Sequence, residues 1–327
     1  MAPDASTPAT TGFQPLRELV TPGRHLAVVG PTAGGKSAVA LGLARRLGGP
    51  DAVELVSVDS MQVYRGMDIG TAKPSAAERA ELVHHLIDVV DPEEDYAVAR
   101  FAVDVRSVLG DIERRGRRAV LVGGTGLYLR AAVEDLEIPG RYPHVRAELD
   151  AEADVLALHA RLVALDPVAA ARMEPTNRRR VVRALEVTVG SGRPFSSYGP
   201  GLETYPTSPI ALVGVRRSRA ELDERIVARY RAQLEAGFVD EVRLLAARPA
   251  GLSRTARQAL GYRELLTHVE DGVPLEVAVD EAVTRTRRFA RRQERWFRRD
   301  PRIDWLDADP ATSVDHLIDA ALARLPG

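Results

Sequence analysis

The chain contains no cysteine among its 327 residues. Disulfides, a thiolate nucleophile and cysteine-ligated zinc are therefore excluded. Lysine is almost missing as well. Of 45 basic residues only Lys36 and Lys73 are lysine. A GC-rich genome accounts for the arginine bias, yet a chain that uses arginine elsewhere keeps lysine where a compact ammonium is required. We apply that argument to Lys36; Lys73 reads equally well as an incidental surface residue. Neither sign of charge dominates, since the formal net charge is −1. Any attraction to a polyanion must then come from local clusters. No apolar run reaches the roughly 18 residues of a membrane span, so no membrane association is expected and the cytoplasm is the default location. Residues 1–11 are rich in Ala, Pro and Thr without an apolar centre. They read as a loose tail, not a secretory signal.

What is present is ordinary for a globular protein: 45% hydrophobic and 28% charged residues. The length suits one large domain or two modest ones. Residues 25–30 form a short apolar run ending in glycine, the mark of a buried strand, and residues 37–47 follow with helical spacing. A second strand is expected over 53–58, ending at Asp59, and a third within 82–90. Residues 96–115 read as a helix stopped by Gly116. A strand over 118–122 and a helix over 125–136 follow. This alternation predicts an α/β fold, a P-loop NTPase-like parallel sheet with helices on both faces. From residue 139 to about 207 the pattern holds helical stretches and no strand, which predicts a mostly helical insertion domain. A strand returns at 210–215, and the remainder reads as largely helical. The expected division is a flexible tail over 1–22, a core over 23–138 and 208–327, and the insertion over 139–207.

Gly30-Pro31-Thr32-Ala33-Gly34-Gly35-Lys36-Ser37 fits the phosphate-loop pattern G-x-x-x-x-G-K-[ST] in full, between a strand and a helix. Glycines let backbone N–H groups turn around phosphate oxygens, and the helix N-terminus adds favourable partial charge. Lys36 is placed to reach a terminal phosphate, and the Ser37 hydroxyl to ligate Mg²⁺. The loop specifies a phosphate ligand and leaves the reaction open. Asp59, at the carboxyl end of its strand, stands where open α/β sheets bind ligands. It reads as a Mg²⁺-serving aspartate, as a base or substrate-orienting group, or as a turn or N-cap aspartate. Gly123-Gly124-Thr125-Gly126 also joins a strand to a helix. It offers amides and a hydroxyl to a second anion, although glycine turns with a threonine N-cap are common.

Further segments recur around these: Asp59-Ser60-Met61-Gln62-Val63-Tyr64, Asp68-Ile69-Gly70-Thr71-Ala72-Lys73-Pro74, His84-His85-Leu86-Ile87-Asp88, Arg180-Val181-Val182-Arg183, Gly261-Tyr262-Arg263-Glu264, and residues 286–293 ending in Gln293. In this order, over about 25–307, the set resembles the bacterial tRNA dimethylallyltransferases, also called tRNA isopentenyltransferases. The resemblance implies transfer of a dimethylallyl group from dimethylallyl diphosphate to N6 of the adenosine 3′ of the anticodon, with Mg²⁺ as cofactor. It implies that the partner is the tRNA anticodon stem-loop, gripped by the insertion. Asp59 matches the family's general base, and Thr125 a threonine near the reacting centre. Arg225 and Arg229, spaced i, i+4, match arginines on the leaving diphosphate; read alone, they are ordinary solvent arginines. Gly30, Thr32, Ala33, Gly34, Gly35, Lys36 and Ser37 would cradle that diphosphate. Ser60, Met61 and Gln62 beside Asp59 match the segment that meets the target base. Ser37 stands where many relatives carry threonine, and Gly34 where serine is frequent. A monomer is expected.

Local charge agrees with an RNA partner. Nine arginines fall within residues 285–302 against Glu294 and Asp300. Arg288, Arg292, Arg295 and Arg299 recur at i+3/i+4 spacing, a basic stripe on one helix face, with Phe289, Trp296 and Phe297 toward the core. Arg178, Arg179, Arg180 and Arg183 form a second cluster. Each cluster alone also reads as a solvated charged face. Three other functions compete: a small-molecule P-loop kinase, an adenylate isopentenyltransferase acting on free nucleotides, and a nucleotide-dependent RNA-binding module without catalysis. The insertion and the paired arginine clusters favour the tRNA-directed transferase.

Overall fold

The computed structural model describes residues 14–199 and 201–325. Six parallel strands form one sheet: β1 (Leu26–Val29), β2 (Val53–Ser57), β3 (His84–His85), β4 (Arg118–Gly123), β5 (Ala211–Arg217) and β6 (Ile303–Ala308), in the order β3-β2-β4-β1-β5-β6. Every residue of β1 and β2 is buried, as a sheet covered on both faces requires. Alternate side chains enter two separate cores. Ala27, Val29, Val56, Val58 and Leu121 join one. Leu26, Val28, Val53, Leu55 and Val213 join the other. Helices Lys36–Arg46 and Val314–Leu322 close the second face through Val39, Leu43, Leu317 and Ile318. Each such buried aliphatic side chain contributes about 1.5–3 kcal/mol over leaving it exposed. Among the described residues no helix is long and apolar enough to cross a membrane.

The α/β expectation therefore holds, with three corrections. The third strand is only two residues long. Leu86 (φ 60°) and Asp88 (φ 57°) adopt left-handed backbone, which ends strand pairing at once. Residues 303–308, expected within a helical stretch, form the edge strand β6. The expected flexible tail also fails in its last part. Residues 1–13 lie outside the described residues, but Leu16 and Val20 are buried, and the Leu16 N–H donates to Asp135 Oδ1 at 2.8 Å.

Residues 139–207 hold four α-helices, Pro143–Ala151, Val155–Leu165, Pro167–Ala171 and Arg178–Ser191, a 3-10 turn Phe195–Tyr198, and no strand among the described residues. They build a third core of their own around Leu149, Leu158, Leu162, Val181, Val182 and Leu185. Asp154 caps its helix by accepting from the Leu156 N–H at 2.9 Å. Asp166 accepts from the Ala169 and Ser196 N–H groups, at 3.0 and 2.7 Å. It thereby ties a helix start to the loop that leaves the insertion.

Candidate active site

The carboxyl ends of β1, β2, β4 and β5 deliver four segments to one edge of the sheet, where such folds place their ligands. The phosphate loop follows β1. Gly30 takes φ +142°, and a Cβ there would come within 2.5 Å of the Val215 carbonyl oxygen. Gly35, also left-handed at φ +96°, starts helix Lys36–Arg46. Ala33 holds φ 61°, an uncommon conformation for a residue with a side chain. Three arginines from the end of β5 and helix Arg219–Glu235 grip this loop. Arg217 Nε donates to the Gly34 carbonyl at 3.0 Å, Arg225 Nε to the Ala33 carbonyl at 2.7 Å, and Arg229 Nη1 to Thr32 Oγ1 at 3.0 Å. Arg225 and Arg229 are thus brought to the phosphate loop. Arg217 was not anticipated. Its signal was a charge at the very end of an otherwise apolar strand.

Lys36 Nζ donates to the Pro31 carbonyl at 2.7 Å. Burial pushes its pKa down to about 8; Asp59 opposes that fall and the nearby Arg229 cation adds to it. Burial likewise lowers the Arg229 pKa, with Tyr230 and Asp59 opposing. Asp59 therefore lies within electrostatic reach of both cations that face the phosphate loop. It is half-buried just past the end of β2, and Asp59 Oδ1 accepts from the Met61 N–H at 2.8 Å.

The loop after β4 meets Asp59 from the side. Thr125 begins helix Gly126–Val133 but does not cap it. Its Oγ1 instead accepts from the Ser60 N–H at 3.2 Å. Met61 is half-buried against the first core. Gln62 is committed internally: Ser57 Oγ donates to Gln62 Oε1 at 2.8 Å, and Gln62 Nε2 donates to the Thr71 and Ala72 carbonyls at 3.3 and 3.2 Å. It pins the segment 71–72, leaving little of the amide for a ligand. Lys73 is not a surface residue. Its side chain is 1% exposed and bonds Asp68 at 2.7 Å, Asp88 at 2.5 Å and the Tyr64 carbonyl at 2.6 Å, an internal pin for the same segment. The histidine pair serves structure too: His85 Nε2 meets Glu54 at 2.5 Å.

Gln293 was missed as an individual residue. It projects from helix Leu275–Phe297 between the phosphate loop and the loop after β4. The signal was available, because it shares the buried register of Ala282, Thr286, Ala290 and Phe297. On the other side of that helix Arg288, Arg292 and Arg295 are exposed, as is Arg299 in the turn past its end, which leaves the helix face one arginine shorter than expected; none of the four makes an ion pair among the described residues. Arg292 lies over the Phe289 ring at 5.6 Å. Arg285, Arg287 and Arg298 pair with Glu264, Asp223 and Glu294, so four stripe arginines remain available. In the insertion Arg179 and Arg180 are exposed. Arg183 is not available: it bonds Glu186 at 2.9 Å and the Pro139 carbonyl at 2.8 Å. Arg178 likewise bonds the Leu149 and Asp150 carbonyls.

Among the described residues no group of three or more His, Asp or Glu side chains is arranged to hold a metal. Ser37 is exposed at the first turn of its helix. That fits Mg²⁺, which binds through one or two protein ligands and completes its shell with phosphate oxygens and water.

The family model described as IPP transferase matches residues 62–300. The tRNA dimethylallyltransferase of Kineococcus radiotolerans is 50% identical over 309 residues, covering 92% of this chain and 96% of its own. That of Streptomyces coelicolor is 48% identical, covering 89% and 93%. Among solved structures, the tRNA isopentenylpyrophosphate transferase of Bacillus halodurans is 37% identical with a TM-score of 0.66, covering 92% of this chain and 96% of that one. A eukaryotic dimethylallyltransferase, solved in work on its action on tRNA, is 25% identical with a TM-score of 0.76, covering 93% and 80%. With the family model spanning most of the chain and relatives near 50% identical over nine-tenths of it, the chain belongs to the IPP transferase family.

Proposed function

We propose that this protein transfers a dimethylallyl group from dimethylallyl diphosphate to N6 of the adenosine 3′ of the anticodon in tRNA, releasing diphosphate. The observation that carries the reading is that Asp59, just past the carboxyl end of β2, shares one sheet edge with the phosphate loop, its Lys36 and the Arg229 that bonds Thr32. The exocyclic amine is a poor nucleophile because its lone pair is delocalised into the purine. Asp59 orients it and takes one of its protons as the bond from N6 to the first allyl carbon forms. The bond from that carbon to the diphosphate oxygen breaks, and charge accumulates on the leaving diphosphate. The phosphate-loop amides, Lys36, Arg225 and Arg229 are preorganised to stabilise it. The Ser37 hydroxyl would hold Mg²⁺, which would supply further neutralisation of the charge on the leaving diphosphate. Thr125 holds the Ser60 amide and so keeps the segment carrying Asp59 and Met61 beside the acceptor.

Adenine N6 is out of reach inside a stacked anticodon loop, so the base is everted into the cleft. The anticodon stem-loop lies along Arg288 and Arg292 on one side and Arg179 and Arg180 on the insertion. We place the activity in the cytoplasm and in a monomer. Incubation of unmodified tRNA with dimethylallyl diphosphate and Mg²⁺, followed by mass spectrometry of the nucleosides, should yield N6-dimethylallyl adenosine. Transfer to free AMP in preference to tRNA would replace this reading with nucleotide prenylation.

A further inference from the structure

Two loops make the site, and a single buried amide joins them. Gln293 Oε1 accepts from the Thr32 N–H of the phosphate loop at 2.9 Å, and Gln293 Nε2 donates to the Gly124 carbonyl of the loop after β4 at 2.7 Å. Only one orientation of the amide satisfies a backbone donor on one side and a backbone acceptor on the other. Glutamate would meet the Thr32 N–H but turn a second acceptor toward the Gly124 carbonyl. Leucine would leave both backbone groups unpaired at a buried place.

The neighbours are shaped around this side chain. A Cβ at Gly124 would overlap Gln293 Nε2, and a Cβ at Gly126 would overlap the Trp296 ring. Gln293 and Trp296 lie three apart on helix Leu275–Phe297, so one helix face presses on both glycines. The linkage then runs on. Gly124 precedes Thr125, Thr125 Oγ1 holds the Ser60 N–H, and Ser60 follows Asp59. The loop that would carry the donor and the segment that would carry the base are thus connected through Gln293.

We propose that Gln293 is a positioning residue for the transfer reaction: it sets the phosphate loop against the Thr125–Asp59 side of the cleft, and so fixes the separation of donor carbon and acceptor amine. This role rests on the reaction proposed above. It predicts a particular failure. Each substrate still binds, but the reacting atoms are out of line.

The test uses full-length Gln293→Leu, Gln293→Asn and Gly124→Ala proteins, and the double variant Gln293→Ala with Gly124→Ala beside Gln293→Ala alone. Steady-state transfer to unmodified tRNA is measured with equilibrium binding of inorganic diphosphate and of tRNA. The kcat of Gln293→Leu should fall by about 10²-fold, as expected for a misplacement near 1 Å, with both KM values and both affinities close to wild type. Gly124→Ala should lose a comparable factor, and should cost little more once Gln293 is already alanine. Where Gln293→Leu does not fold, Gln293→Asn, which keeps the amide but retracts it by one methylene, should give the same split. Unchanged kcat, a loss confined to KM, or full additivity in the double variant would overturn the role. Absence of transfer by the wild-type protein would instead remove the reaction, and this role with it.

Discussion

Desolvation leaves the Lys36 ammonium with a pKa of about 8, close to the working range of an enzyme. Below that value Lys36 is charged and ready for an anion; above it the free protein carries neutral Lys36. An anion selects the protonated form, so binding above the pKa requires proton uptake and weakens as pH rises. The apparent Kd for inorganic diphosphate should therefore be flat below about pH 8 and climb above it. Lys36→Arg, charged throughout, should lack the rise that remains after the ligand's own titration is common to both. Parallel profiles for the two proteins would show that Lys36 does not titrate there. Asp59 acts on the other substrate. Asp59→Ala should lower turnover by roughly 10²–10⁴-fold while leaving tRNA affinity largely intact. Near-normal turnover would remove Asp59 as the base. Arg229, which reaches Thr32 and the Gly70 carbonyl, should on conversion to alanine impair use of the diphosphate donor more than tRNA affinity. An equal loss of both would contradict its assignment to the diphosphate.

Helix Leu275–Phe297 serves two faces at once: Thr286, Ala290, Gln293 and Phe297 inward, Arg288, Arg292 and Arg295 outward. Each phosphate contact adds about one to the slope of log affinity against log salt. Replacing both Arg288 and Arg292 by alanine should reduce that slope for tRNA by about two, without changing diphosphate binding; an unchanged slope would place the RNA elsewhere. Much of this was legible in the sequence, for identifiable reasons. The phosphate loop could be read because glycine, lysine and serine sit at fixed offsets between an apolar strand and a helix. The stripe could be read because exposed arginines keep the helical period. Strand β6 could not, since Asp304 and Asp307 interrupt its apolar alternation. Arg183 could not be told from Arg179 and Arg180, because its partner Pro139 is brought beside it only by folding. Gln62 was legible as a site neighbour but not as an internal tie, for the same reason.

Across the molecule, two cores pack against the sheet and a third belongs to residues 139–207. The third core shares no buried residue with the sheet, so damage within it should stay local. Leu162→Ala, at a fully buried position of that core, should cost about 2–5 kcal/mol. Hydrogen exchange should quicken over 143–191 while the amides of β1 and β4 keep their protection. Uniform loss of protection would mean that the insertion and the sheet unfold together. Transfer to tRNA should suffer before diphosphate binding does.

The bond from the Thr32 amide to Gln293 spans 261 positions of the chain, and β6, which completes the sheet edge, comes later still. Synthesis runs from the amino end, so the phosphate loop leaves the ribosome early and waits for its partner through most of translation. A nascent chain arrested before residue 275 would lack the helix that braces the cleft. The protein thus gains its working geometry only as the last sixth of the polypeptide emerges, and prematurely terminated products should be inert however well their first strands have paired.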